Sequence, residues 1–132
     1  PSLLERCPHP LESPADLAEL PSMLLGTPQG EHTWHLLGPD TAQATIHHAP
    51  RLVTLSMPAL RTAAIAGVGV VQLPHMMVRD CFASGELVHV LPEWEPRRGI
   101  IHAVYPSRRG QLPSVRALLD FLAAQFEMLD ED

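Results

Sequence analysis

The segment RLVTLSMPALRTAAIAGVGVVQL, from Arg51 to Leu73, predicts the architecture of the domain most directly. Residues 51–55 form a short apolar run with β-branched side chains, which is typical of a buried strand. Ser56 then offers a side-chain oxygen that can cap a helix, and Pro58 is tolerated in a first helical turn. The opening of the stretch therefore predicts a strand followed by a capped helix.

The second half of the stretch predicts how that helix packs and where it ends. Three- and four-residue spacing gives the helix a narrow face of mostly small residues that can lie close on a sheet: Leu60, Ala63, Ala64 and Gly67. Gly67 suits the left-handed end of a helix, and residues 68–73 read as a second buried strand, closed by Pro74. Strand, helix and strand in so few residues predict a βαβ unit with parallel strands and a right-handed crossover.

Upstream of this unit the pattern predicts shorter elements. Residues 13–20 begin with serine and proline, as a helix does, and residues 23–25 read as a short strand. A turn-rich loop follows at residues 26–30. Residues 33–37 and 43–48 then read as two antiparallel strands around a Gly-Pro-Asp turn.

Downstream of the unit, residues 75–82 predict a short helix that ends at Gly85, and residues 87–91 and 100–105 predict two further strands, each followed by proline. Pro113 opens the last helix. Its apolar residues keep helical spacing throughout: Val115, Leu118, Leu119, Leu122, Phe126 and Leu129.

Composition bounds the function classes. The 132 residues, 45% of them apolar, suit one α/β domain with a single core, and the net charge of −6 argues against direct binding to nucleic acid or to an anionic membrane. Cys7 and Cys81 are far apart and match no metal or redox spacing, which is typical of reduced thiols in a cytoplasmic protein. We expect no signal peptide and no membrane span, and the opening on Pro1 without a methionine indicates a piece of a longer protein.

Four segments, taken in their order and spacing, resemble one known family: AAIAGVGVVQLP, SGELVHVLPEW, IIHAVYPSRR and LPSVRALLDFLAAQF. They resemble the effector-binding (substrate-binding) domain of LysR-type transcriptional regulators, over about residues 1–126. The resemblance implies a periplasmic-binding-protein-like (type 2) fold, a Rossmann-like subdomain with a mixed, mainly parallel sheet flanked by helices. It also implies that residues 22–99 form the second subdomain and that residues 1–21 and 100–132 form the hinge and parts of the first. The DNA-binding helix-turn-helix would lie outside this chain.

The candidate effector site follows from the predicted topology. In an open α/β sheet, ligands bind beyond the carboxyl ends of parallel strands, where helix N-termini favour small anions. Two junctions qualify: Ser56 and Met57, and Pro74 and His75. The resemblance implies effector contacts at these junctions and also in the loop that contains Thr27 and Pro28. Two alternatives stay open, because Ser56 can serve only as a helix cap and Thr27 only as a turn residue.

Other site chemistries find less support. His47 and His48 are neighbours on a predicted strand and point to opposite faces, while His32 and His35 lack a carboxylate or thiol at ligand spacing, so we expect no metal site. The pair Gly67 and Gly69 precedes a strand, whereas a phosphate loop follows one, and no nucleophile motif is present. We therefore expect no cofactor and no enzymatic activity.

The mechanism implied by the resemblance is ligand sensing. A small organic acid would bind between two subdomains and shift their orientation, and thereby change how a dimer or tetramer presents its separate DNA-binding domains. The competing class is a stand-alone periplasmic solute-binding protein of the same architecture, which would carry a signal peptide.

Overall fold

The computed structural model describes residues 1–7, 10–30, 32–97 and 112–130, apart from the side chains of residues 129 and 130. In this part of the chain the strands are β1 Ser22–Leu25, β2 Thr33–Leu37, β3 Gln43–His47, β4 Pro50–Thr54 and β5 Glu95–Pro96. The α-helices are α1 Met57–Ile65, α2 Arg79–Ser84 and α3 Pro113–Asp130. Four short 3-10 helices occupy Leu4–Arg6, Pro14–Glu19, Pro39–Thr41 and His75–Met77.

Strands β1 and β4 form a two-stranded parallel sheet, and β2 pairs antiparallel with both β3 and β5. The predicted hairpin of two strands around the Gly-Pro-Asp turn is confirmed, with Thr33 opposite His47 and Leu37 opposite Gln43. In the described residues the parallel and antiparallel strands lie in separate sheets. β3 and β4 are joined by only His48 and Ala49, where the chain leaves one sheet and enters the other.

The predicted βαβ unit is present in its first two parts. β4 is followed by α1, which begins after Ser56 and packs on β1 and β4. Gly67 ends the helical segment at φ +75, as predicted. The predicted strand 68–73 is not formed as a strand: Val70 makes a single parallel bridge to Ser22, on the side of β1 opposite β4. The crossover therefore connects the two flanks of β1.

Two further predictions are corrected. The helix predicted at residues 75–82 is a 3-10 helix and then α2, separated at Val78, whose φ of −131 is not helical. Residues 87–91 form no strand, because Leu91 adopts φ +51 and its carbonyl accepts from the Trp94 N–H, which makes a turn. The predicted strand 100–105 lies outside the described residues.

A core cluster lies between the antiparallel sheet and the 3-10 helix Pro14–Glu19. Its buried members come from distant parts of the chain: Leu17, Trp34, Leu36, Ile46 and Leu91. That 3-10 helix is fixed at its start by Asp16, whose carboxylate accepts from both the backbone N–H and the hydroxyl of Ser13. Leu60, on α1, is completely buried, as its place on the small-residue face predicts.

The chain divides into two compact units, Pro1–Arg98 and Gly99–Asp132. In the second unit, α3 spans 18 residues, as the apolar spacing from Pro113 onward predicts. In the described residues there is no helix that is both long enough and apolar enough to cross a membrane.

Candidate functional site

The carboxyl ends of β1 and β4 lie side by side. Leu25 pairs with Thr54, and the Gly26 N–H donates to the Thr54 carbonyl at 3.0 Å. The loop after β1 therefore starts beside the junction between β4 and α1. The structure thus brings four of the predicted residues to one edge of the parallel sheet: Thr27 and Pro28 in the loop, and Ser56 and Met57 at the junction.

The third predicted place is connected to this edge more loosely. Because Val70 bridges Ser22 in parallel, residues 68–73 run in the same direction as β1 and lead towards Pro74 and His75. The Met23 N–H donates to the Val70 carbonyl at 2.8 Å, and the Val70 N–H donates to Pro21 at 2.9 Å. These bonds are made at the start of β1, so they set the direction of the segment rather than the position of its end.

Ser56 is used as the helix cap. Its Oγ accepts from the Ala59 N–H at 3.3 Å, and its own N–H donates to Thr54 Oγ1 at 3.2 Å. Since Pro58 has no N–H and the Ala59 N–H is capped, the first turn offers an anion little more than the Met57 N–H and the Ser56 hydroxyl. The capping role and a ligand contact are compatible, because a hydroxyl that accepts one bond can still donate another.

Thr27 is exposed and makes a turn. Its hydroxyl donates to the Gln29 carbonyl at 3.2 Å, which is the turn role that the sequence left open. Pro28 is also exposed and has no N–H to offer. This loop can contribute a hydroxyl and a rigid surface to a site, but it has no charged group between β1 and Gly30.

His75 begins a 3-10 helix of three residues, and its ring is exposed. The ring stacks on Phe82 of α2 at a centroid distance of 5.8 Å, and Phe82 in turn stacks on His89 at 5.9 Å. So short a helix has little dipole, and the argument for anion binding by backbone groups is weaker here than at α1. What this junction offers is an imidazole whose orientation is held by Phe82.

Two depressions adjoin these elements. One of about 230 Å³ lies along β1 and is mainly apolar, lined by Met23, Leu24, Leu25, Trp34 and Gln72. A wider and more open one of about 580 Å³ lies beside α2 and carries charge, lined by Arg61, Met76, Met77, Arg79, Asp80 and Ala83.

Arg61 joins α1 to α2. Its Nη2 pairs with Asp80 Oδ2, and its Nε and Nη2 lie 3.1 and 3.0 Å from the Cys81 sulfur. The bonds to Cys81, and then the charge of Asp80, raise the pKa of Arg61 above its ordinary value. Sequence reasoning missed this contact, because the partners stand about twenty positions apart and carry no local signal.

A second contact that sequence reasoning missed centres on His48. Ser22 Oγ lies 2.7 Å from His48 Nδ1, and the imidazole stacks on Trp34 at a centroid distance of 4.1 Å. Burial lowers the pKa of His48, and the nearby His32 lowers it further. A serine–histidine pair is a catalytic arrangement elsewhere, but Ser22 is only 1% exposed and sits within a strand, so this pair serves packing.

His47 and His35 both lie on the exposed face of the β2–β3 hairpin. His47 is exposed, with its Nδ1 3.3 Å from Thr33 Oγ1, on the side opposite His48. His35 makes the matching contact with Thr45. Across the described ranges, no three His, Cys, Asp or Glu side chains come together as metal ligands would.

Comparison with known proteins identifies the family. The family model of the LysR substrate binding domain matches residues 1–127. An HTH-type transcriptional regulator of Haemophilus influenzae is 41% identical over 59 residues, which is 45% of this chain and 20% of that protein. The HTH-type transcriptional regulator PtxR of Pseudomonas aeruginosa is 36% identical over 80 residues, 61% of this chain and 26% of that protein. The matched part is thus about a quarter of these relatives or less.

Solved structures agree on the fold. The regulatory domain of AphB from Vibrio vulnificus superposes with a TM-score of 0.59 at 23% identity, over 71% of this chain and 46% of that one. Full-length AphB of Vibrio cholerae gives 0.61 at 25% identity, over 74% of this chain and 32% of that one. The predicted α/β, periplasmic-binding-protein-like fold class is confirmed by the family match and these superpositions. This chain belongs to the LysR substrate-binding domain family.

Proposed function

We propose that the chain is the ligand-sensing part of a LysR-type transcriptional regulator and that it binds a small organic anion at the carboxyl edge of β1 and β4. One observation carries the proposed location. The bond from the Gly26 N–H to the Thr54 carbonyl holds the β1 loop beside the start of α1. An anion there would meet the Thr27 and Ser56 hydroxyls, the Met57 N–H and the positive end of α1.

The proposed mechanism is a shift in a conformational equilibrium without catalysis. An effector that contacts both this edge and the facing first subdomain would favour the arrangement in which both sets of contacts are made. The free energy available for the shift is limited to the difference in effector affinity between the two arrangements. Kinship with helix-turn-helix regulators favours this function over that of a stand-alone periplasmic solute-binding protein.

The same kinship supports the proposals for the whole protein. DNA binding would belong to a helix-turn-helix outside this chain, since the net charge of −6 opposes nucleic-acid binding by the chain itself. The protein would act in the cytoplasm, as a dimer or tetramer of such chains. Residues 22–99 would supply the second subdomain, and the division between compact units after Arg98 supports that boundary.

The test is a thermal-shift screen of small carboxylates, such as acetate, succinate and benzoate, followed by titration of the carboxylate that raises the unfolding temperature most. Ser56→Asp is the informative variant, because aspartate caps a helix as well as serine does but adds a negative charge at the junction. Repulsion between two carboxylates at close range should weaken binding about tenfold or more.

The matched control is Gln43→Glu, which adds the same charge at an exposed position on β3. It should leave the dissociation constant within about twofold of the wild-type value. Equal weakening in both variants would mean that only net charge matters, and stabilisation by metals or nucleotides in place of carboxylates would contradict the proposal.

A further inference from the structure

The imidazole of His48 connects the two sheets of the first unit. His48 belongs to the two-residue link between β3, in the antiparallel sheet, and β4, in the parallel sheet. Its ring contacts Ser22 at the start of β1, in the parallel sheet, and Trp34 of β2, in the antiparallel sheet. Both partners are buried, with Ser22 1% and Trp34 5% exposed. His48 thus links β3 to β4, and its ring contacts β2, the partner of β3, and β1, the partner of β4.

This contact suits a neutral ring and not a charged one. The Nε2 atoms of His48 and His32 are both buried and have no hydrogen-bond partner among the described residues. The two rings lie 6.4 Å apart. A proton added to His48 would therefore create a buried charge without an acceptor and beside a second imidazole that can also become charged.

The groups around His48 offer no compensation in the described part of the chain. From β1 the facing group is the Ser22 hydroxyl, and from β2 it is the Trp34 indole. The segment before β2 contributes His32. The ionisable groups beside it along the chain, His47 on β3 and Arg51 on β4, are exposed, and His47 pairs with Thr33 on the other face. Apart from the serine hydroxyl, His48 faces an aromatic ring and another base.

We infer that His48 is an acid-sensitive latch between the two sheets: its neutral ring holds β1 against β2, and its protonation releases them. The latch requires no ligand and so goes beyond the proposed effector site. It would nevertheless reach that site, because β1 leads directly into the loop that contains Thr27.

The direction of the pH effect follows from linkage. The pKa of His48 is lowered in the folded chain, so the unfolded chain binds more protons between the folded value and the ordinary value of about 6.5. Stability conferred by the neutral ring is therefore fully present above pH 6.5 and is lost as the pH falls below it, until the folded value is passed.

The experiment compares His48→Gln with its neighbour His47→Gln, the matched control on the opposite face of the hairpin. The urea unfolding midpoint of each chain is measured from pH 8 to pH 5. The wild type and His47→Gln should lose stability over the acid half of this range, and His48→Gln should lose less than half as much. An acid loss as large in His48→Gln as in the wild type would overturn the inference.

Two further measurements keep the test decisive if His48→Gln does not fold. The His48 ring proton, followed by NMR in the wild type, should titrate below pH 6.5, and His32→Gln should raise that midpoint by removing the neighbouring charge. Trp34 fluorescence in a Trp94→Phe background should change with the same midpoint as the ring proton. A His48 midpoint at or above 6.5, or a Trp34 signal that does not follow it, would overturn the latch.

Discussion

Strand β1 has one neighbour on each side, and the two neighbours differ although both were predicted as strands. β4 pairs with β1 over Ser22 to Leu25, with one irregularity near Arg51. Residues 68–73 pair with it only at Val70. Both runs are short, apolar and rich in β-branched residues, so composition does not separate them. Strand formation therefore depends on the backbone of the pairing partner as well as on the apolar run itself.

The local geometry accounts for the difference. On the Val70 side the chain passes very close to the start of β1: a Cβ on Gly69 would lie 2.7 Å from the Pro21 carbonyl oxygen and 3.3 Å from Met23 Cγ. The Pro21 carbonyl accepts from the Val70 N–H, and because proline has no N–H of its own, the ladder cannot extend backwards on the Val70 side. The bonds of Met23 and Val70 are made at one place, after which residues 71–74 run on without strand pairing.

The largest expected effect on stability comes from weakening the packing of α1, the helix that connects the two neighbours. Leu60 is fully buried on α1, whereas Leu55, five residues earlier, is 74% exposed. Leu60→Ala should lower the free energy of unfolding by about 2–5 kcal/mol, because it removes buried methyl groups and leaves a cavity. Leu55→Ala is the matched control and should stay within about 0.5 kcal/mol. Chemical denaturation measures both, and similar losses would contradict the packing of α1 described above.

A smaller effect should separate the two neighbours from each other. Gly69→Ala places a methyl group against the backbone of Pro21, which cannot move as a side-chain tip can. We expect a loss of about 1–3 kcal/mol. Hydrogen exchange should show reduced protection of the Met23 and Val70 amides, which bond on this side, and retained protection of the Gly26 amide, which bonds to β4.

Gly26→Ala is the control for this variant. Its added Cβ would meet only the Leu24 side chain, at 3.7 Å, which is an ordinary contact. Stability should change little, and protection on the Val70 side should be unaffected. If Gly69→Ala instead loosened the Gly26 amide first, the two neighbours of β1 would be parts of one cooperative unit, and the contrast between them would not hold.

The elements that sequence reasoning predicted correctly are those with local signals. Ser56 caps α1, the apolar alternation of β2 and β3 flanks a Gly-Pro-Asp turn, and Gly67 and Gly85 take the left-handed conformation that ends a helical segment. The wrong predictions at residues 68–73 and 87–91 concern apolar runs whose pairing partners lie elsewhere in the chain. The periodicity of a segment indicates which element it can form, and whether that element forms depends on a pairing strand elsewhere in the chain.

The same contrast between local signals and long-range contacts applies to the candidate site. The junction between β4 and α1 followed from the strand-helix pattern, whereas the loop after β1 was included because the resembling family uses that loop for effector contacts. The contacts that shape the surroundings, between Arg61 and Cys81 and between Ser22 and His48, join residues about 20 and 26 positions apart. Side chains so far apart are brought together only by tertiary packing, for which a single sequence holds no periodic signal.

The smallest effect concerns the turn that sends the chain from α1 towards Val70. Gly67 has φ +75, where a side chain is strained, and an added Cβ would also lie 2.8 Å from Ser2 Oγ. Gly67→Ala should cost about 1–2 kcal/mol, and Gly67→Asn less, because asparagine tolerates the left-handed region. Chemical denaturation of Gly67→Ala in a Ser2→Ala background separates the two causes. If the loss persists there, backbone strain is responsible; if it disappears, the contact with Ser2 is, and the turn itself would accept any small residue.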